Sequence, residues 1–394
     1  MKKVLLVAAL TAVVLVPAAA ASSSHRVKLS LVPLPKSALG AAARGLTVAR
    51  GSGVISNTAA SNNSITANPT TFAKLGRLTG YDLTYGDRYS GRPGVTEIAT
   101  GIDKYKTAAG ARRGLAFWRK DDAKIGVLGS YGLAVSVRSL KAPKAGKRRF
   151  AEGTTFSVPN AAPVALVDEQ FTDGRYLLRV EVGAGSLSAG SRLAAKLARK
   201  LDHRLRLAEA GHLRGKPVKL PPRLAVGPPA GGPDLATLAL TTADLGGQAT
   251  IVDHAYETPG PPSLSEYQLD MQPAGRFSAL TQLLGWFPSV NEATVFGRFT
   301  GAAFAYVLGS GLGTGGSGHF TPVDLSTVGD GAFGGIVSVS QTGQPTIYLA
   351  IVSLSSGQVE DLVLTSSDSA TQPADVVNLA QATANRLNAG LGTH

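Results

Sequence analysis

A unit spanning Pro163 to Leu205 returns near the C-terminus of this 394-residue chain. In the first copy an apolar run containing Val164 and Leu166 reaches a turn at Thr172-Asp173-Gly174. A second strand-like run, Arg175 to Val182, then leads into a helix ending Arg204-Leu205. In the second copy Ile347 to Val352, the turn Ser355-Ser356-Gly357, Val359 to Leu364 and Val376 to Leu387 repeat that order and end Arg386-Leu387. Turn glycine to terminal arginine covers 30 residues in one copy (Gly174 to Arg204) and 29 in the other (Gly357 to Arg386). A second anchor precedes each unit, Ala73-Lys74-Leu75-Gly76 in one case and Ala243-Asp244-Leu245-Gly246 in the other. Two anchors in the same order mark a duplication, because self-similarity at a fixed spacing is rarely accidental. The expected fold is α+β: two duplicated domains, each an antiparallel sheet with a C-terminal amphipathic helix packed on one face. The boundaries read as a signal peptide over 1–21, a basic domain over 30–210, a Pro/Gly-rich linker over 211–234 and an acidic domain over 235–394.

The address follows from the first residues and from cysteine. Lys2-Lys3, the apolar stretch Val4 to Val16 and Ala18-Ala19-Ala20-Ala21 form the three regions of a cleavable signal, with cleavage after Ala20 or Ala21. The chain has no cysteine, which closes lipoprotein anchoring, disulfides and thiolate chemistry together. The expectation is a secreted or extracytoplasmic protein, not lipid-anchored and with no transmembrane helix in the mature chain. Charge is split between the halves. From Asp234 onward three basic residues face thirteen acidic ones, and the preceding residues carry 36 basic against 13 acidic, so −10 and +23 make up the net +13. Such a split points to contact with a polyanion or a membrane surface, or to attraction between the halves.

Between the anchors, Ser52 to Thr71 reads as a long polar surface loop. Tyr81 to Tyr85, Val95 to Ile102 and Leu133 to Val137 read as strands, and Lys106 to Arg119 as a helix. In the second half Ala249 to Tyr256 reads as a strand and Arg276 to Leu284 as a short helix. Seven aromatics between Phe277 and Tyr306 are expected to form that domain's own core. Gly211 to Pro233, with six prolines and five glycines, reads as a semi-stiff linker.

Motifs for chemistry are weak. Gly311, Gly313 and Gly316 satisfy G-x-G-x-x-G after a strand-like run, Ala302 to Leu308. His319-Phe320-Thr321-Pro322 is not the helix start that a pyrophosphate needs, so a flexible hairpin loop is the better reading. No serine sits in G-x-S-x-G, and the six histidines lack partners at catalytic spacing. Asp168-Glu169 with Asp173-Gly174 offers oxygens to a cation, but a polar hairpin end explains the same residues. No enzyme activity, metal or cofactor is expected.

The positive signal is basic. On the helix Arg192 to Leu207, Leu193, Leu197, Leu201 and Leu205 form an apolar stripe, while Arg192, Lys196, Arg199, His203 and Arg206 lie opposite. The counterpart helix presents Asn378, Gln381 and Asn385 there instead. Arg112, Arg113, Arg119 and Lys120 add a second cluster on another helix. These nine residues are the candidate polyanion-binding set, for an anionic envelope polymer or lipid headgroups. Intramolecular docking of the acidic copy onto the basic one is the competing use of the same charge, and no specific nucleic-acid motif is present. The alternative function is carriage of an apolar ligand, such as a lipid, between sheet and helices.

The series Leu75-Gly76-Arg77-Leu78-Thr79-Gly80-Tyr81, followed by Tyr105 and Ala108 and by the closing Arg204-Leu205, resembles uncharacterised exported tandem-domain proteins of actinobacteria and related phyla. It is more distantly similar to the extracytoplasmic sensor domains of mycobacterial Ser/Thr kinases. Those domains are pinned by disulfides and this chain has no cysteine. The resemblance implies a binding or sensing protein of the cell envelope rather than an enzyme, and it transfers no catalytic residue.

Overall fold

The computed structural model describes residues 27–392 except 160, 248, 261, 274, 311–316 and 330, so the signal-peptide reading and the Gly311, Gly313, Gly316 motif lie outside the described residues. In chain order the first half contains helix α1 (Lys36–Leu39), strand β1 (Gly53–Ile55), helices α2 (Asn57–Asn62) and α3 (Pro69–Leu75), and strands β2 (Arg77–Gly86) and β3 (Val95–Tyr105). Helix α4 (Ala108–Asp122) and a 3-10 segment (Ala123–Tyr131) follow, then β4 (Ala134–Ser139), β5 (Arg148–Ser157), β6 (Val164–Asp173), β7 (Tyr176–Ala184) and helix α5 (Leu187–Glu209). The second half contains α6 (Leu235–Leu238), β8 (Ala249–Glu257), β9 (Ser265–Pro273), β10 (Ala279–Trp286), α7 (Val290–Gly309), β11 (Ser317–Pro322), β12 (Phe333–Ser340), β13 (Ile347–Ser356), β14 (Val359–Ser367) and α8 (Pro373–Leu391).

Each half is one seven-stranded antiparallel sheet. The first has the order β1-β2-β3-β7-β6-β5-β4, and the second, from its other edge, β8-β9-β10-β14-β13-β12-β11. Counted within each half these are the same order, with a helix after the third strand and another after the seventh. The registers agree as well. Gln170↔Arg179 in the first sheet becomes Ser353↔Leu362 in the second, and Glu152↔Asp168 becomes Gly335↔Ile351, every number displaced by 183. Ser139↔Glu152 likewise becomes Pro322↔Gly335, so the duplication extends through four strands at residue resolution.

The repeated sequence anchors have structural causes. Gly174 and Gly357 take φ of 52° and 55° in the β6–β7 and β13–β14 turns, where a side chain would strain the backbone. Gly76 and Gly246 end the short helices before β2 and β8 in the left-handed conformation that satisfies a helix C-terminus. The terminal arginines do the same work in both copies. Arg204 Nε donates to Val32 O at 3.0 Å and Arg386 Nε to Ala239 O at 2.9 Å, so each pins the segment leading into its sheet.

One face of each sheet packs on its C-terminal helix. Leu197, Leu201 and Leu205 of α5 meet Leu178, Val180 and Val182, and Val376, Ala380 and Leu387 of α8 meet Val352 and Val363. The opposite faces carry α4 and α7. A further apolar cluster joins the halves: Leu128, Leu133, Phe156 and Leu166 pack with Val295, Ala302, Tyr306, Phe333 and Leu362. Asn291 accepts from Ala162 N at 2.6 Å and donates to Tyr89 O, and Arg298 donates to Gly132 O at 3.0 Å.

Several expectations change for physical reasons. The polar stretch 52–71 is not a loop but β1, α2 and the start of α3; Ser56 accepts from Ala59 N at 3.0 Å and Asn68 forms a capping box with Thr71. Residues 276–284 are not a helix, since 279–286 form β10. Leu280 and Leu284 face α8 while Leu283 faces α7, so the strand is apolar on both sides and shows no alternation. The run 302–308 is the C-terminal half of α7, not a strand. That helix lies between sheet two and the first half, which makes it apolar nearly all round. For the same reason Phe299, Phe304 and Tyr306 enter the cluster shared by the halves rather than a core private to the second. Residues 212–233 form no helix or strand; Val218 and Leu220 pack on the first core, and Gly227 O accepts from Ser265.

Candidate functional site

The basic stripe on α5 is as exposed as its spacing predicts. Ser186 caps the helix, accepting from Ala189 N; Leu197, Leu201 and Leu205 are buried and Leu193 is half-buried. Arg192, Lys196, Arg199, His203 and Arg206 are all exposed. Arg206 is held by Asp202 at 2.7 Å, whereas among the described residues no carboxylate lies within ion-pair distance of Arg192, Lys196 or Arg199. Lys200 and Arg204, between the two faces, donate to Ala38 O and to Val32 O. On α8 the corresponding exposed residues are Asn378, Gln381 and Asn385.

Arg112, Arg113, Arg119 and Lys120 are also exposed, on α4. They do not join the α5 set. Helix α4 packs through Ala111, Leu115 and Trp118 onto Leu177, and α5 packs onto Leu178; neighbouring residues of one strand point to opposite faces. The nine sequence candidates are two surfaces separated by the sheet.

Sequence reasoning missed a polar trough on the α4 face of sheet one. Across the strands runs the row Asp82, Gly101, Arg179, Gln170, Phe150, each the cross-strand partner of the next. The matching row in sheet two is Gln268, Leu283, Leu362, Ser353, Phe333. There Leu283 and Leu362 belong to the apolar cluster under α7. The fold thus accepts leucines where the first copy carries Gly101 and Arg179.

Two glycines make room for the carboxylates. A Cβ on Gly101 would stand 2.0 Å from Asp82 Oδ1, and one on Gly80 would stand 2.2 Å from Asp103 Oδ1. Each carboxylate lies over the glycine opposite it, Asp82 over Gly101 and Asp103 over Gly80. The signal was in the sequence: Gly80-Tyr81-Asp82 and Gly101-Ile102-Asp103 share a Gly-x-Asp pattern on antiparallel neighbours, which sets each glycine against the other's aspartate.

Arg77, 3% exposed, donates to Asp103 at 2.6 Å and to Ile55 O, Ser56 O and Asn57 Oδ1, leaving its Nε with no protein acceptor. Gln170, 1% exposed, donates to Asp168 at 2.6 Å and Asp122 at 3.2 Å, leaving its Oε1 with no protein donor. A buried polar atom left unmatched costs about 1–3 kcal/mol. Both residues line a half-open space of about 30 Å³, with Asp82, Arg179, Trp118 and, at its mouth, the exposed Asn63.

Burial shapes the electrostatics of this face. It raises Asp82 to about 6, opposed by Arg179, and it raises Glu152 to about 7, helped by the charge of Asp168. Burial also pushes Asp122 and Asp168 upward. For Arg179 burial works against the charge, yet Asp168, Asp82 and Asp122 hold its pKa above the ordinary value. Asp168 and Glu169 are adjacent on β6 and point to opposite faces, so they do not converge on a cation, and among the described residues no three His, Asp or Glu side chains form a metal-holding group. A second space beside sheet one, about 260 Å³, is open to the surface between Arg138, Phe156 and Ser186. No helix among the described residues is long and apolar enough to cross a membrane.

No protein-family model matches the sequence, and no curated protein matches it. Among solved structures, the extracellular domain of PknH from Mycobacterium tuberculosis aligns at 10% identity over 39% of this chain and 94% of that one, with a TM-score of 0.31. Two di-domain aromatase/cyclases also align. StfQ of the steffimycin pathway does so at 10% identity over 79% of this chain and 82% of that one, with a TM-score of 0.15. BexL of the BE-7585A pathway does so at 9% identity over 79% and 97%, with a TM-score of 0.14. At these scores none of the three carries an argument about function.

Proposed function

We propose that this chain is an exported, non-catalytic binding protein of the cell envelope that holds a phosphate-bearing polymer or surface on the exposed cationic face of α5. The observation that carries this reading is the contrast between the copies. Both C-terminal helices bury the same stripe and pin the same kind of segment through a terminal arginine, yet one presents Lys196, Arg199 and His203 where the other presents Asn378, Gln381 and Asn385, and Arg192 where the other has Ala374. The amides of α8 show that neither folding nor solvation demands cations at these positions. From Arg192 to His203 the stripe extends about 16 Å at about 1.5 Å per residue, enough to meet several phosphates in a row. The contact between the halves runs through α7 and leaves this stripe exposed.

The test uses the full chain with two probes: inorganic polyphosphate, and vesicles containing phosphatidylglycerol. Binding at low salt that weakens steeply by 0.15 M, where the Debye length is about 8 Å, is expected for at least one of them. A variant with Arg192, Lys196, Arg199 and His203 all changed to Gln should lose it, while glutamines at Arg112, Arg113, Arg119 and Lys120 should not. Polyphosphate binding alone identifies a soluble polymer, and vesicle binding alone a headgroup surface. No binding to either, or equal binding by the α5 variant, overturns the reading.

A further inference from the structure

We propose that the space between α2, α4 and sheet one takes the adjacent hydroxyls of a polyol or saccharide. Its walls set the chemistry. Gln170 carries a buried acceptor, Oε1, without a protein donor, and Arg77 a buried donor, Nε, without a protein acceptor, and both residues line this small space. An ammonium ion only donates and a carboxylate only accepts, whereas a hydroxyl does both. The charges agree: Asp82 and Asp103 stand with Arg77 and Arg179, so the wall favours a neutral guest over an ion. About 30 Å³ is room for two water-sized groups, which matches a pair of neighbouring hydroxyls rather than a whole sugar ring. Trp118 and Ile55 supply an apolar side against which the C–H edge of such a ligand can lie.

The space is built rather than left over. Gly80 and Gly101 are cleared for Asp103 and Asp82, and the same row in sheet two is closed by Leu283 and Leu362. Its mouth is at Asn63, which is exposed. This inference stands on a different face of the sheet from the α5 stripe and does not depend on it.

Saturation-transfer NMR on the full chain tests it, with cis-1,2-cyclohexanediol, ribitol and methyl glucoside as probes and cyclohexanol as the mono-alcohol control. Transfer from the diol and at least one polyol is expected, with cyclohexanol at least about tenfold weaker because it leaves one buried partner unmatched. Gln170→Leu should abolish the diol signal. Asn63→Phe, a surface change that covers the mouth, should do the same and decides the matter if the first variant does not fold. Absence of transfer from every polyol, equal transfer from cyclohexanol, or signals that survive Asn63→Phe overturn the proposal and leave a space that holds ordered water only.

Discussion

Asp361→Asn should make this protein less sensitive to rising pH. Asp361 is fully buried in β14, where it accepts from Gln282 Nε2 at 2.6 Å while Gln282 Oε1 accepts from Leu240 N at 2.8 Å. Its other oxygen has no protein partner. Burial raises its pKa from 3.8 to about 8, against the hydrogen bond from Gln282, so the folded protein keeps a proton that the unfolded chain releases near pH 4. Stability from a group with a raised folded pKa is full below the unfolded value and is lost as pH climbs toward the folded one. At about 1.4 kcal/mol per pKa unit, one such proton removes on the order of 3–4 kcal/mol between pH 4 and pH 7. Asparagine is neutral throughout and keeps an oxygen for Gln282. Urea unfolding at pH 4, 5, 6 and 7 should therefore show the variant gaining on the wild type by about that amount across the range. Glu360, Glu292 and Glu169 are shifted the same way, by burial first, so the wild type should still lose stability with pH and the variant should lose it less steeply. A gap that changes by less than about 1 kcal/mol from pH 4 to pH 7 would falsify the assignment of a neutral, proton-bearing Asp361.

Other outcomes can be checked on the same preparations. Leu197→Ala, in the α5 core face, should cost about 2–5 kcal/mol, and Arg199→Gln on the outer face should stay within about 0.5 kcal/mol; comparable losses would mean the helix is rotated. Arg204→Gln and Arg386→Gln should each cost about 1–3 kcal/mol by freeing a buried carbonyl, and either one proving as neutral as Arg199→Gln would remove its anchoring role. Because the halves share the cluster around Tyr306 and Phe156, calorimetry should show one unfolding transition; two separated transitions would mean the shared cluster does not couple them.

The sequence revealed the duplication because turns, caps and anchors leave marks that are local. Gly174 and Gly357, Gly76 and Gly246, and Arg204 and Arg386 each answer a demand that recurs in both copies, so they align. The α5 stripe was equally legible, since one buried face and one wet face give a clean helical period. What sits between two packed layers was not. Strand β10 and helix α7 are apolar on more than one side, and periodicity disappears when there is no solvent face to mark it. Short helices α2 and α3 were hidden for the opposite reason, since their stability comes from caps at Ser56 and Asn68 rather than from an apolar stripe.

The trough was hidden because its signal is a relation between strands. Asp82 matters through Gly101, and Asp103 through Gly80, pairs that become visible only once the β2–β3 register is known. The same register gives the duplication its use as an internal control. A duplicated fold begins with equal physical demands at matched positions, so residues that both copies keep are candidates for architecture. Where the copies part at matched and otherwise equivalent positions, folding alone did not decide the residue. By that test Arg204 is structural despite its charge, pinning Val32 O as Arg386 pins Ala239 O. Leucine and glutamine occupy the sites equivalent to Arg179 and Arg199, so the shared fold does not by itself demand either arginine. Both arginines fall in the first copy, on opposite faces of its sheet, so the two proposed sites lie there and neither has a counterpart at the matched position of the second copy.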